Sequence, residues 1–357
     1  MNSIGYAQRD VREIFNDMPM GRKQWTVFLI CFAATAIEGF DTIVISFIAP
    51  AISQHWHLSS VALSPLVAFG LTGLLIGSIV GGTLADRVGR RTVSIVAIAW
   101  FGIAGVMSSE AQSIFQLVAL RFITGLGIGA AMPATSAIVA EYSPDRSRSA
   151  MLASTYCGFL FGAAAAGLVT SLAIGTLGWR GMLVLSGLLP LGVVALFAWQ
   201  VPESPLYVVA SRRSNDEAQR VLAKVFSSLD FSGMHLFIAE TCESISGSRA
   251  LLSANYRLGT VLTWLAEFAG YLVFFLIGSW MPTTSSRWGY RCTTPRKYRQ
   301  CSSSVRLAAR FFSPSLFVAI TWRRSFPWHS AQARCLSSRW ASPKPLSGTR
   351  AWSSCLA

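Results

Sequence analysis

Between residues 25 and 201 the chain is a succession of apolar runs, each long enough to cross a bilayer, parted by turns of a few polar or charged residues. Hydrocarbon holds no water to pair with backbone N–H and C=O groups, so a lone segment entering it must satisfy them within a helix, and roughly 20 residues reach across. The runs predict six crossings, over residues 25–50, 61–85, 92–109, 114–142, 151–174 and 181–201, with a seventh over 258–282. With 52% hydrophobic and 13% charged residues, the 357-residue chain is too apolar for an ordinary soluble domain. The expected fold class is an all-α integral membrane protein.

A formal net charge of +14 invites a nucleic-acid reading, and its distribution refuses one. Residues 1–283 carry 17 basic and 16 acidic side chains, whereas 287–350 carry 13 basic side chains and no acidic one. No nucleic-acid partner is expected. Residues 1–24 are polar and read as a cytoplasmic amino terminus without a cleaved leader. The seven cysteines lack metal-ligand spacing and read as free thiols. No nucleophile–base pair, metal cluster or phosphate-binding glycine loop stands in a soluble context, so neither an enzyme nor a cofactor is expected.

Charged residues inside the runs are few and informative. Glu38 and Asp41, three residues apart, share one face of the first helix. Each costs about 2.5 to 3.5 kcal/mol in hydrocarbon on insertion scales, so they are expected to face a polar cavity or a partner. Desolvation against a nearby cation would poise either one for handling protons. Arg121, in the fourth helix, cannot lose its proton and must be paired, with those two carboxylates as candidates. The plainer alternatives are a polar packing patch and a structural ion pair.

Residues 81–91 join the second and third crossings. Gly82 and Gly89 allow close approach and left-handed backbone, Asp86 can cap the next helix, and Arg87, Arg90 and Arg91 mark the cytoplasmic side. Any membrane protein could carry such a topology anchor. A second basic loop, with Arg146 and Arg148, agrees with it in side, and His55-Trp56-His57 reads as an interfacial loop on the other side. Glycines at 70, 73, 77, 81 and 82, and again at 158, 162 and 167, suit close helix contact.

Gly82, Leu84, Ala85, Asp86, Arg87, Gly89, Arg90 and Arg91 together resemble the signature loop of the major facilitator superfamily. Arg121 with Gly125, Gly127 and Gly129 resembles that superfamily's motif of an arginine followed by spaced glycines, which implies a part in proton or substrate coupling. Glu38-Gly39-Phe40-Asp41 is similar to the Asp-Gly-Phe-Asp helix of the aromatic acid:proton symporters, with Glu in place of the commoner Asp. Tyr156-Cys157-Gly158 is similar to the same group; Tyr156 would offer a hydroxyl and a ring to an aromatic carboxylate, or simply pack.

The resemblance covers about residues 20–282 and implies a twelve-helix carrier whose two halves alternate access around a midplane site. This chain would supply the six-helix amino-terminal half (25–201), a cytoplasmic linker (202–257) with a surface helix over 216–226, and the seventh helix (258–282). The implied function is symport of a proton with a small organic anion, an aromatic acid, across a cell inner or plasma membrane. Asp41 and Glu38 would handle the proton, and Arg121 would pair with them or with the anion. A sugar or sialic acid carrier is the alternative within the superfamily, and the oligomeric state is left open.

Beyond Pro282 the motif resemblance stops. Residues 283–357 are dense in Ser, Arg and Trp and hold no sustained apolar run. They read either as an irregular basic tail drawn to anionic lipid or nucleic acid, or, the favoured reading, as translation in a shifted frame. A site built between two halves needs both, so the chain by itself is expected to be a transport-incompetent membrane fragment.

Overall fold

The computed structural model describes residues 8–210, 215–226 and 235–237, together with 257–272 apart from 267 and 271. Its body is a bundle of long helices: α2 (Arg22–Trp56), α3 (Ser64–Val88), α4 (Arg90–Met107), α5 (Ile114–Tyr142) and α6 (Asp145–Gln200), preceded by the short α1 (Val11–Asp17). All five long helices are apolar enough to cross a membrane. At 56 residues α6 would be roughly 84 Å long if straight, far more than one crossing needs. It is two crossings. Its backbone leaves helical angles at Gly178, with φ 64° and ψ −179°, a conformation open to glycine alone at little cost. The segment before the break packs on α2 through Gly158 and Gly162, and the segment after it packs on α4 through Gly187.

The sequence placed the first helix at 25–50, but α2 runs on through Pro50 to Trp56. In hydrocarbon the alternative to helix is unpaired backbone, which outweighs the one hydrogen bond that a proline forfeits. The His55-Trp56-His57 loop is accordingly corrected: His55 and Trp56 form the last helical turn, and His57 caps it in the left-handed region at φ 53°. Trp56 packs edge-on against Trp179 across the bundle, 5.3 Å between ring centres.

Small residues set the helix spacing. A Cβ on Gly73, Gly77 or Gly81 of α3 would collide with the backbone of Phe122, Leu126 or Ala130 of α5. Gly125 and Gly129 face back into α3 in the same way, against Gly70 and Leu74. Most of the remaining α3 surface, including Leu75, Ile79 and Val80, is exposed and apolar. That is the composition expected of a face that meets lipid or further membrane helices.

At the end of the bundle where α2 begins, α1 is joined by α7 (Pro205–Ala210) and α8 (Asn215–Val225). The expected surface helix over 216–226 is therefore found, with its apolar side buried: Ala218, Leu222 and Phe226 share a core with Val11, Ile14 and Phe15. A three-residue strand, β1 (Gln8–Asp10), pairs in parallel with β2 (His235–Phe237). Of the seventh helix, residues 257–266 and 268–270 are helical; Glu267 and the tail over 283–357 lie outside the described residues.

Candidate functional site

The buried charges come together between α2 and α5. Asp41 sits near the middle of α2, and Arg121 lies two turns into α5, where the glycine contacts hold that helix close. Nη1 of Arg121 donates to Oδ2 of Asp41 over 3.0 Å, with Asp41 2% and Arg121 4% exposed. Coulomb attraction between such groups is strong in a low-dielectric interior, but desolvation offsets most of it, so the pair matters chiefly for what either charge would do alone.

Beside the pair is a small, partly open recess. Its wall takes Asp41 and Thr42 from α2, Leu66 and Leu74 from α3, and Arg121 and Thr124 from α5. Asp41 and Arg121 are the charged residues in that wall. Both threonine hydroxyls donate to their own helices, Thr42 to the Glu38 carbonyl and Thr124 to the Leu120 carbonyl, which leaves their oxygens able to accept. The arrangement can bind an apolar body with a charged end.

Glu38 is fully buried one turn before Asp41, yet it lies outside the recess wall, and neither carboxylate oxygen has a partner among the described residues. Tyr156 is elsewhere again. It is 47% exposed on α6, with its hydroxyl 3.1 Å from that of Ser136 on α5, and it does not line the recess. The structure thus joins Asp41 to Arg121 and leaves Glu38 and Tyr156 apart from them.

The loop motif builds a second cluster at the end of the bundle where α2 begins. Gly89 takes φ 116°, and a Cβ there would press on Glu203 Oε2. Gly82 differs from the sequence reading: it is inside α3 and a Cβ would meet only Pro133, at 3.9 Å. Asp86 also differs. It caps nothing, because the helix does not end until Val88, and instead pairs with Arg90 over 3.0 Å, one turn on. Arg90 further reaches Glu141 of α5 over 3.1 Å and lies over the Tyr207 ring. Arg91 donates to the carbonyls of Val201 and Ala198, each over 2.6 Å, and its amide donates to Glu203 Oε1 over 3.0 Å. Arg87 contributes its carbonyl, which accepts from the Tyr207 hydroxyl. Glu141, Glu203 and Tyr207 were given no role from sequence; the available signal was an acid at the end of an apolar helix, beside a basic loop.

This geometry accompanies an extensive similarity to known carriers. The family model described as Major Facilitator Superfamily matches residues 31–331. The chain belongs to that superfamily. The match continues past Pro282, where the motif resemblance had stopped. Within the superfamily, the 4-hydroxybenzoate transporter PcaK of Pseudomonas aeruginosa is 36% identical over 276 residues, which are 77% of this chain and 62% of that protein. The gallate transporter of Pseudomonas putida is 35% identical over 278 residues, which are 78% of this chain and 62% of the relative. The chain therefore spans somewhat under two thirds of the relatives it matches. A crystal structure of a D-xylose-proton symporter superposes with a TM-score of 0.58 over 83% of this chain and 69% of that one, at 20% identity, which shows the superfamily fold alone. The protein is a multi-pass membrane protein of a transporter family.

Proposed function

We propose that these residues belong to a carrier that moves a small aromatic carboxylate together with a proton, and that they provide the half in which the coupling charges reside. The observation that carries the reading is the buried Asp41–Arg121 pair in the wall of a largely apolar recess. A carboxylate at this depth is costly unless paired, and residues retained at such cost are functional candidates by default. An apolar recess with one charged end matches the chemistry of an aromatic acid, and the named relatives transport 4-hydroxybenzoate and gallate. Asp41 is assigned the proton, with Glu38 as a second buried carboxylate on the same helix.

The basic residues Arg87, Arg90, Arg91, Arg146 and Arg148 gather at one end of the bundle, which we assign to the cytoplasm along with α1 and α8. Superfamily likeness to the xylose symporters supports no sugar reading, since it stands on fold. The test is ligand-linked proton uptake by the purified chain in weakly buffered detergent solution. Sodium 4-hydroxybenzoate, adjusted beforehand to the same pH, is expected to raise the pH as protons are taken up, while xylose is not. Binding without proton uptake would remove symport; a response to xylose alone would remove the aromatic acid.

A further inference from the structure

We propose a second docking point for the aromatic acid, separate from the recess and nearer the cytoplasm, at which Tyr156 reads a hydroxyl on the ring; this rests on the carrier reading above. The family resemblance offered the Tyr156 hydroxyl to a carboxylate. The hydrogen bonds around it reverse that. Ser136 has one proton and donates it to the Met132 carbonyl over 2.8 Å, the shorter of its two contacts, so the Tyr156 hydroxyl donates to Ser136 over 3.1 Å. With its proton spent, the phenol oxygen turns lone pairs to its surroundings. A carboxylate would be repelled there, whereas an O–H would be accepted.

Tyr156 does not belong to a lipid face. Between residues 93 and 107 of α4, and between 182 and 199 of α6, every exposed residue is apolar, as lipid requires. Tyr156 breaks that pattern at 47% exposure, about 16 Å along α6 from Asp145 and past the headgroup level where lipid-facing tyrosines gather. A cation stands at a suitable remove. Arg148 donates Nε to the Ala140 carbonyl over 3.1 Å, and Ala140 follows Ser136 on the same face of α5 by one turn, about 6 Å. Arg148, Leu152 and Tyr156 form the matching stripe on α6. Arg148 shares Asp145 with Arg12, so cations outnumber the acid there, and its Nη1 is left over. A carboxylate at Arg148 and a ring hydroxyl at Tyr156 are the two ends of a para-hydroxylated benzoate laid along Leu152. Ser136 and Arg121 are fifteen residues apart on α5, about 22 Å, so one such molecule does not touch both.

Calorimetric binding of 4-hydroxybenzoate and 4-methoxybenzoate to the purified chain in nanodiscs tests this, because the methoxy oxygen has no proton to give. The hydroxy acid is expected to bind about 5-fold to 10-fold more tightly, the scale of one neutral hydrogen bond. Tyr156→Phe keeps the ring and is expected to bring the two ligands within about 2-fold of each other. Ser136→Ala frees the tyrosine proton to point outward and should tighten 4-methoxybenzoate several-fold. Equal binding of the two acids by the unaltered chain overturns the proposal even where both variants fail to fold. A folded Tyr156→Phe chain that keeps the preference overturns it too, as does a folded Ser136→Ala chain in which 4-methoxybenzoate gains nothing. In all three cases the aromatic-acid reading survives, because an aromatic acid is still bound. No binding of either acid overturns both.

Discussion

Nη1 of Arg121 stands 3.0 Å from Oδ2 of Asp41, and both side chains are almost wholly removed from solvent. Removing one member strands the other charge in the bundle, which ordinarily costs about 3–5 kcal/mol, whereas removing both can be nearly neutral. Asp41→Ala and Arg121→Met are each expected to lower the unfolding temperature sharply. The double variant should recover most of the loss. Thermal unfolding in detergent over the double-mutant cycle measures the coupling, and additive effects would show that the pair is not held together in the membrane.

Gly82 and Gly129 test what the glycines of the bundle are for. A Cβ on Gly129 overlaps the backbone of Leu74, and relief requires α3 and α5 to separate, so Gly129→Ala should cost about 1–3 kcal/mol. Gly82 has room, and alanine is the better helix former by about 1 kcal/mol, so Gly82→Ala should be neutral or stabilising. Unfolding of the two variants side by side checks the contrast, and equal losses would contradict it.

Gly89 is the one position in the loop motif where the backbone needs glycine. Alanine at φ 116° is strained by about 1–2 kcal/mol and also pushes on Glu203, which accepts the Arg91 amide. Gly89→Ala is therefore expected to speed hydrogen exchange at residue 91 and at Ser204, whose amide donates to the same carboxylate oxygen. Unchanged exchange at both sites would mean that Glu203 does not tie this loop to the end of α6.

Asn16 of α1 and Asp145 at the start of α6 exchange two hydrogen bonds, side chain to side chain over 2.7 Å and amide to side chain over 2.8 Å. The contact is exposed, so its worth is about 1 kcal/mol or less. Asn16→Ala should leave the unfolding temperature of the bundle where it is and increase exchange in α1. Loss of bundle stability would show that α1 supports the membrane helices themselves.

The membrane helices were legible because hydrocarbon imposes one rule on every backbone group, and a run of apolar residues can obey it only as a helix. Residues 114–142 were placed to the residue, and the break at Gly178 was anticipated as a turn. The same rule explains why α2 runs on to Trp56, past the end given to the first crossing at Pro50: in lipid the backbone has no alternative to helix. Asp86 and Gly82 were misread for a related reason: loop chemistry was assigned to residues that α3 still holds in helix.

For the site, the sequence by itself determined that Glu38, Asp41 and Arg121 are charges that hydrocarbon cannot leave alone, because residue type and depth suffice for that inference. Only the tertiary structure decided that Arg121 meets Asp41 rather than Glu38, and that it does so with one nitrogen. Asp41 and Glu38 lie on one helix face, so spacing along α2 does not choose between them. The choice is made by the height at which α5 packs, set by glycine contacts to α3 that are spread over 50 residues of chain, roughly, and visible only once the helices are side by side.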